Sequence, residues 1–228
     1  MQERMVVVAE ITRLQSAPSP NLPIAPQDYS PQHYDILNNA LRLYFNRLDQ
    51  NLTALFGNTG SKYLNAPYVT TYSLADQYAG GNNIATLVAW DPTLGAINGF
   101  DLTTGHAVAQ QSGTYRVEYN IQMANDDNAQ HDAFFWFKVN GVTLADSTTK
   151  FTLQSRKSAG VPSYAVAASF IFADLQAGDY IELWWQTDKA ATSGGTLGVW
   201  IEYQAAASNY PNIPSSLGSI TFVSAPQA

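Results

Sequence analysis

The chain has no cysteine among its 228 residues. A disulfide framework and thiolate metal sites are therefore excluded. Charge is scarce as well. Asp, Glu, Lys and Arg make up 13% of the residues, against about a quarter in an average globular protein. The polar surface must come mainly from Thr, Ser, Asn and Gln, which suits a protein that packs against copies of itself. The net charge is −7 and no basic stripe is present, so the electrostatic footprint of nucleic-acid binding is missing. No apolar run approaches the length of a membrane span, and no membrane insertion is expected. The opening stretch, residues 1–10, holds a short apolar run bracketed by Glu3 and Glu10 and does not read as a secretion signal.

Catalytic patterns are also lacking. The three histidines, His33, His106 and His131, stand in no metalloprotease, nucleophile-elbow, phosphate-loop or dinucleotide motif. No catalytic, cofactor-binding or metal-binding residue is assigned, and the protein is expected to be non-enzymatic. Asp126, Asp127 and Asp132 offer oxygen ligands suited to calcium, but their spacing is not that of an EF-hand loop, and a solvated turn is the simpler reading.

What is present falls into three parts. Residues 1–30 carry Pro18, Pro20, Pro23 and Pro26, a spacing that forbids regular helix and favours an extended, semi-stiff tail. Val6, Val7, Val8 and Ile11 are too apolar for a mere spacer and mark this tail as an anchor to another protein. A helix is expected over 31–57. Ser30 is a good N-cap, Pro31 fits the first helical position, and Gly57 supplies the stop. Tyr34, Leu37, Leu41, Tyr44, Leu48, Asn51 and Leu55 recur at alternating steps of three and four, a heptad seam with one polar member. Leu37, Leu41, Tyr44 and Leu48 are candidate self-association residues. A helix lying on its own domain remains an equal alternative.

Over 66–228 the period changes to two. In 114–123, Tyr115, Val117, Tyr119, Ile121 and Met123 alternate with polar residues, the pattern of a half-buried antiparallel strand. Further strands are read at 68–73, 85–90, 106–109, 134–137, 163–173, 180–186, 196–204 and 217–223. Asn140-Gly141 between valines is a tight-hairpin signal, because both residues tolerate positive φ. Residues 176–179 mark another turn. Many short strands at regular spacing imply an all-β sandwich or barrel. Some strands break the in/out rule: aromatics occupy both faces of 134–137, Trp184 falls in phase with Glu182, and Trp200 with Glu202. Large aromatics outside a filled core forgo burial and usually mark an interface or a ligand platform. Trp136, Trp184 and Trp200 are therefore candidate subunit-packing residues, with a carbohydrate platform as the competing reading.

These segments carry a resemblance. Gln111 to Val117, followed by Phe135 to Gly141, resembles a central strand and hairpin of the complement globular-head and tumour-necrosis-factor-like jelly rolls. Leu175 to Leu183 resembles a late turn and strand of that fold. The stretch from Ala66 to Leu102, the closing Ile213-Pro214-Ser215 and the helix with Tyr34 to Leu41 resemble virion structural proteins of tailed phages, cyanobacterial phages in particular. The resemblance implies an antiparallel jelly-roll β-sandwich preceded by a tail and one helix. It further implies a homotrimer serving in the virion as a fibre, head-fibre or decoration protein. Its tail would contact other virion proteins, and a host-surface glycan or protein is a candidate partner. The chain has no Gly-X-Y stalk, unlike the collagen-linked members of that superfamily.

Overall fold

The computed structural model describes residues 17–24, 26–56, 66–91, 96–103 and 105–224. The anchor residues Val6, Val7, Val8 and Ile11, and the expected helix stop Gly57, lie outside the described residues. The chain divides into two compact units, residues 1–65 and 66–228.

In the first unit, α1 spans Pro31–Phe56. The Ser30 hydroxyl accepts the His33 N–H at 3.4 Å and its carbonyl accepts the N–H groups of His33 and Tyr34, so the expected cap is in place. Leu37, Leu41, Tyr44, Leu48, Asn51 and Leu55 share one half-buried stripe. Part of the proline-rich segment lies beside it: Pro18, Ser19, Pro20 and Asn21 border a shallow groove with Ala40, Tyr44 and Arg47. Ile36, Leu43, Phe45 and Leu52 flank the stripe and stand largely in solvent.

The second unit holds the strands β1 Tyr68–Ser73, β2 Thr86–Leu87, β3 Ala96–Asn98, β4 Phe100–Thr103, β5 His106–Ala109, β6 Gly113–Asn125, β7 His131–Val139, β8 Val142–Thr143, β9 Thr149–Leu153, β10 Ser163–Leu175, β11 Tyr180–Thr187, β12 Val199–Ile201 and β13 Ser216–Ser224. They form two antiparallel sheets. One runs β10-β6-β13-β1-β3 with β12 also beside β6; the other runs β4-β5-β11-β7-β8 with β2 on β11 and β9 on β7. Four pairs are nested, β1 with β13, β5 with β11, β6 with β10 and β7 with β9, and β6–β13 and β7–β11 join them within the two sheets. First pairs with last and the inner strands pair inside them, which is a folded ribbon, the jelly roll.

The core lies between the sheets because the inward phase of each long strand is apolar. Tyr115, Val117, Tyr119, Ile121 and Met123 of β6 are buried, as are Phe135, Phe137, Ile181, Leu183 and Trp185 of the facing sheet. Tyr119 meets the rings of Phe135 and Phe137 at 5.5 and 5.7 Å, and Phe135 stacks on Trp185. At the end of β6, the buried Asn125 amide donates to the carbonyls of Ala129 and Gln154 while its oxygen accepts the Asp127 N–H. The Asn140-Gly141 turn has φ of 52° and 76°, as a tight hairpin requires.

Two expected strands are shorter than their sequences suggest. β2 stops at Leu87 because the Gln77 side-chain amide takes both the N–H and the carbonyl of Ala89, which removes that residue from any ladder. β12 covers Val199–Ile201 and not 196–204. Thr196 is turned back onto the Thr192 hydroxyl, and Gln204 pairs with Ile213. The short strands β3, β4 and β9 were not expected.

Candidate functional site

The acidic loop gives no ligand set. Asp126 accepts the Gly198 N–H at 2.7 Å. Asp127 takes His131 Nε2 at 3.0 Å and the Asn128 N–H, which hold its carboxyl below the ordinary range. Asp132 is lowered likewise, by Lys150 and then by Thr152. His131 also faces Asp188 through Nδ1 at 3.2 Å. These oxygens are occupied by the protein itself, and among the described residues no His, Asp or Glu cluster is placed to hold a metal. No helix of the described residues is long and apolar enough to cross a membrane. Partly or largely exposed aromatic side chains lie on the two outward sheet faces.

The first face is that of β10, β6 and β13. β10 is a sheet edge paired along its whole length to β6 on one side. Its outward residues include Tyr164, Val166, Phe170 and Phe172, each more than half exposed. Its inward residues are mostly small, Ala165, Ala167, Ser169 and Ala173, because Tyr115 and Tyr119 of β6 already fill the space opposite them. The register therefore puts the bulk of β10 outside. Phe170 and Phe172 touch edge to face at 6.0 Å, and the Arg116 guanidinium lies 4.8 Å from the Phe170 ring centre. Phe170, Ala168 and Leu217 border an open groove of about 370 Å³ with Arg116, Glu118 and Asn120. Beyond this face, burial and then the neighbouring Asp76 raise the Glu202 carboxyl, against a lowering hydrogen bond from Gln204.

The second face belongs to β7 and β11. Here the sequence-predicted Trp136 and Trp184 are direct cross-strand partners. Both are half-buried. Trp184 is fully engaged: its N–H donates to Glu182 at 3.1 Å, and the Lys138 ammonium caps its ring at 3.6 Å. Glu182, buried on this outward side, also holds His106 Nε2 at 2.6 Å, and His106 stacks on Tyr180. Trp200 is elsewhere, half-buried beside Tyr78, Leu197 and the loop after Ala191. The three tryptophans thus do not form one surface. Leu37, Leu41, Tyr44 and Leu48 do share one, on the helix. The β10 stripe, with larger exposed apolar area than any of the tryptophans, was missed by sequence reasoning. Part of the signal was there: in 163–173 most large residues (Tyr164, Val166, Phe170 and Phe172, but not Ile171) fall on even positions and most small ones on odd positions.

No protein-family model and no curated sequence matches the chain. Solved structures do. Murine APRIL at pH 5.0 matches with a TM-score of 0.40 and 14% identity, over 69% of this chain and 99% of that one. Murine APRIL at pH 8.5 matches with a TM-score of 0.41, again at 14% identity over 69% of this chain and 99% of that one. The jelly-roll assignment rests on the nested strand pairing.

Proposed function

We propose that this chain is a non-enzymatic structural subunit that assembles as a homotrimer in the particle of a tailed phage, as a fibre, head-fibre or decoration component. The observation that carries the assembly reading is the outward stripe of β10, where Tyr164, Val166, Phe170 and Phe172 stand more than half exposed along a 13-residue edge strand. A long apolar edge left in water invites uncontrolled pairing, and natural proteins cover such edges. The occupant that costs least in evolution and is always present at matching concentration is a second copy of the chain, and low surface charge removes most of the repulsion between copies. The half-buried helix stripe of Leu37, Leu41, Tyr44 and Leu48 adds a second contact between copies, whose effective concentration the β domains raise. The threefold arrangement and the virion setting come from the sequence resemblance. Val6, Val7, Val8 and Ile11 supply the attachment to other virion proteins.

Sedimentation equilibrium of the full chain tests the assembly. A mass of three chains is expected at micromolar concentration, and a stable monomer overturns the reading. Antibody labelling of intact virions viewed by electron microscopy tests the setting, with label on the particle expected and unlabelled particles refuting it.

A further inference from the structure

We propose that the outward face of the seven-stranded sheet carries a binding groove for a neutral sugar, walled by Phe134 and Trp136. This site lies on the other sheet from the β10 stripe and stands independently of the assembly proposed above.

The groove is built by regular strand geometry. β7 places Phe134, Trp136 and Lys138 on one face at alternate positions. β11 sets Gln186 directly opposite Phe134, and Thr143 and Thr148 close the other side. The cavity measures about 340 Å³, at the lower end of the roughly 300–1,000 Å³ typical of small-molecule sites. That size fits one or two sugar rings.

The lining matches a pyranose in kind. A pyranose has an apolar C–H face and a rim of hydroxyls that both donate and accept. Half-buried aromatic rings take the apolar face. The rim needs groups of both polarities, and the groove has them: the Gln186 amide, the Thr143 and Thr148 hydroxyls and the Trp136 indole N–H. None of these four side chains has a hydrogen-bond partner among the described residues. Trp184, the cross-strand twin of Trp136, is the internal control, because the chain itself satisfies its N–H with Glu182 and covers its ring with Lys138. One tryptophan of the pair is closed and the other is left open at the groove.

Charge selects the class of sugar. Lys138 is committed to the Trp184 ring and lies opposite Glu182 across the strands. Lys150, near Phe134, is paired with Asp132 at 2.7 Å. Lys150 is neutralised by its carboxylate, and Lys138, the cation at the groove with no carboxylate paired to it among the described residues, is held over the Trp184 ring and not over Trp136; the rest of the lining is aromatic or uncharged, which favours an uncharged ring over an acidic one.

Saturation-transfer NMR on the full chain tests this, with the methyl glycosides of glucose, galactose, mannose and N-acetylglucosamine as probes and sialic acid as the acidic comparison. Small sugars at a single open site bind with Kd on the order of 1 mM, so the probes are used above that concentration. Transfer to the ring C–H protons of at least one neutral glycoside is expected, reduced at least tenfold in Trp136→Ala and retained in Trp200→Ala. Thr143→Val with Thr148→Val, both exposed, gives the same loss with little risk to folding. No transfer from any neutral glycoside, transfer that survives these changes, or transfer to sialic acid alone overturns the proposal. A chain that is monomeric yet binds the glycoside refutes the assembly reading and leaves this one standing.

Discussion

Placing lysine at both Phe170 and Phe172 should abolish self-association while leaving the β domain folded. In the single chain Phe170 is 53% exposed and Phe172 58%. Fully burying a phenylalanine contributes about 1.5–3 kcal/mol, so covering the open half of each ring contributes roughly 1 kcal/mol. With Tyr164 and Val166, the stripe supplies about 4 kcal/mol per subunit from apolar area. The double substitution removes half of that and sets two ammonium groups into the contact, each costing several kcal/mol if buried unpaired. A loss of at least ~4 kcal/mol per subunit corresponds to about a thousandfold weaker association. Inside the subunit the change touches little. The rings lose their edge contact and the Arg116 contact with Phe170, and the new lysines stand opposite Glu118 at 170 and Arg116 at 172, one attractive and one repulsive pair at exposed positions, so the subunit's own stability should shift by less than about 1 kcal/mol. Sedimentation equilibrium reads the first effect and thermal melting by circular dichroism the second. An unchanged oligomer mass in the double variant would refute the assignment of this face. A variant that unfolds outright would refute the claim that the stripe faces outward.

Three further outcomes follow from the same geometry. Asn125→Asp keeps the shape of a buried side chain but removes the donors that serve the Ala129 and Gln154 carbonyls; two lost bonds against a new buried charge should cost about 3 kcal/mol or more, seen as a large fall in denaturant midpoint, and an unchanged midpoint would contradict the hydrogen-bond assignment. Asp127, Asp132 and Asp179 are held below the ordinary aspartate value of 3.8 by His131, Lys150 and Asn140 in turn, so the unfolded chain binds protons first. Their stabilisation is present above 3.8 and is lost as pH falls through the folded values. Glu202, raised above 4.5 by burial, opposes this only above 4.5, where acidification favours the fold; a melting temperature that rises on acidification below pH 3.8 would contradict the three aspartate assignments. Leu41→Asp with Leu48→Asp should splay the helices yet leave a trimeric β domain, and disulfide crosslinks from a cysteine at position 41 should join helix to helix; crosslinks to the β domain alone would end the helix-bundle reading.

Much of the architecture was legible because long strands in this fold are built on strict alternation. The run of Tyr115, Val117, Tyr119, Ile121 and Met123 predicted β6, and Asn140-Gly141 predicted the turn between β7 and β8, since few residue pairs tolerate two successive positive φ values. The helix start was legible for a similar reason, a capping serine followed by proline. What could not be read was any element decided by a distant side chain. Nothing in the local sequence says that Gln77 will capture Ala89 and end β2. β3 and β9 are as short as three and five residues, below the length at which alternation separates from chance.

The surface was harder to read, and β10 shows why. A strand rule that sends large apolar residues inward places Tyr164, Phe170 and Phe172 in the core and the alanines outside. The opposite holds, because inward space is shared between neighbouring strands. Ala173 sits opposite Tyr115, Ser169 opposite Tyr119 and Ala167 opposite Ile121. A strand paired with one already rich in large inward residues can afford only small ones on that side. The orientation of β10 is therefore written in the sequence of β6 and in the register between them, and neither strand alone contains it. Tryptophans are the more conspicuous by size; of these, Trp184 has its N–H on Glu182 and its ring under Lys138 within the chain. The sequence signal for an outward-facing apolar stripe is a large-small alternation beside a strand whose own alternation is already large inside. Under that rule Tyr164, Phe170 and Phe172 are the residues to change first.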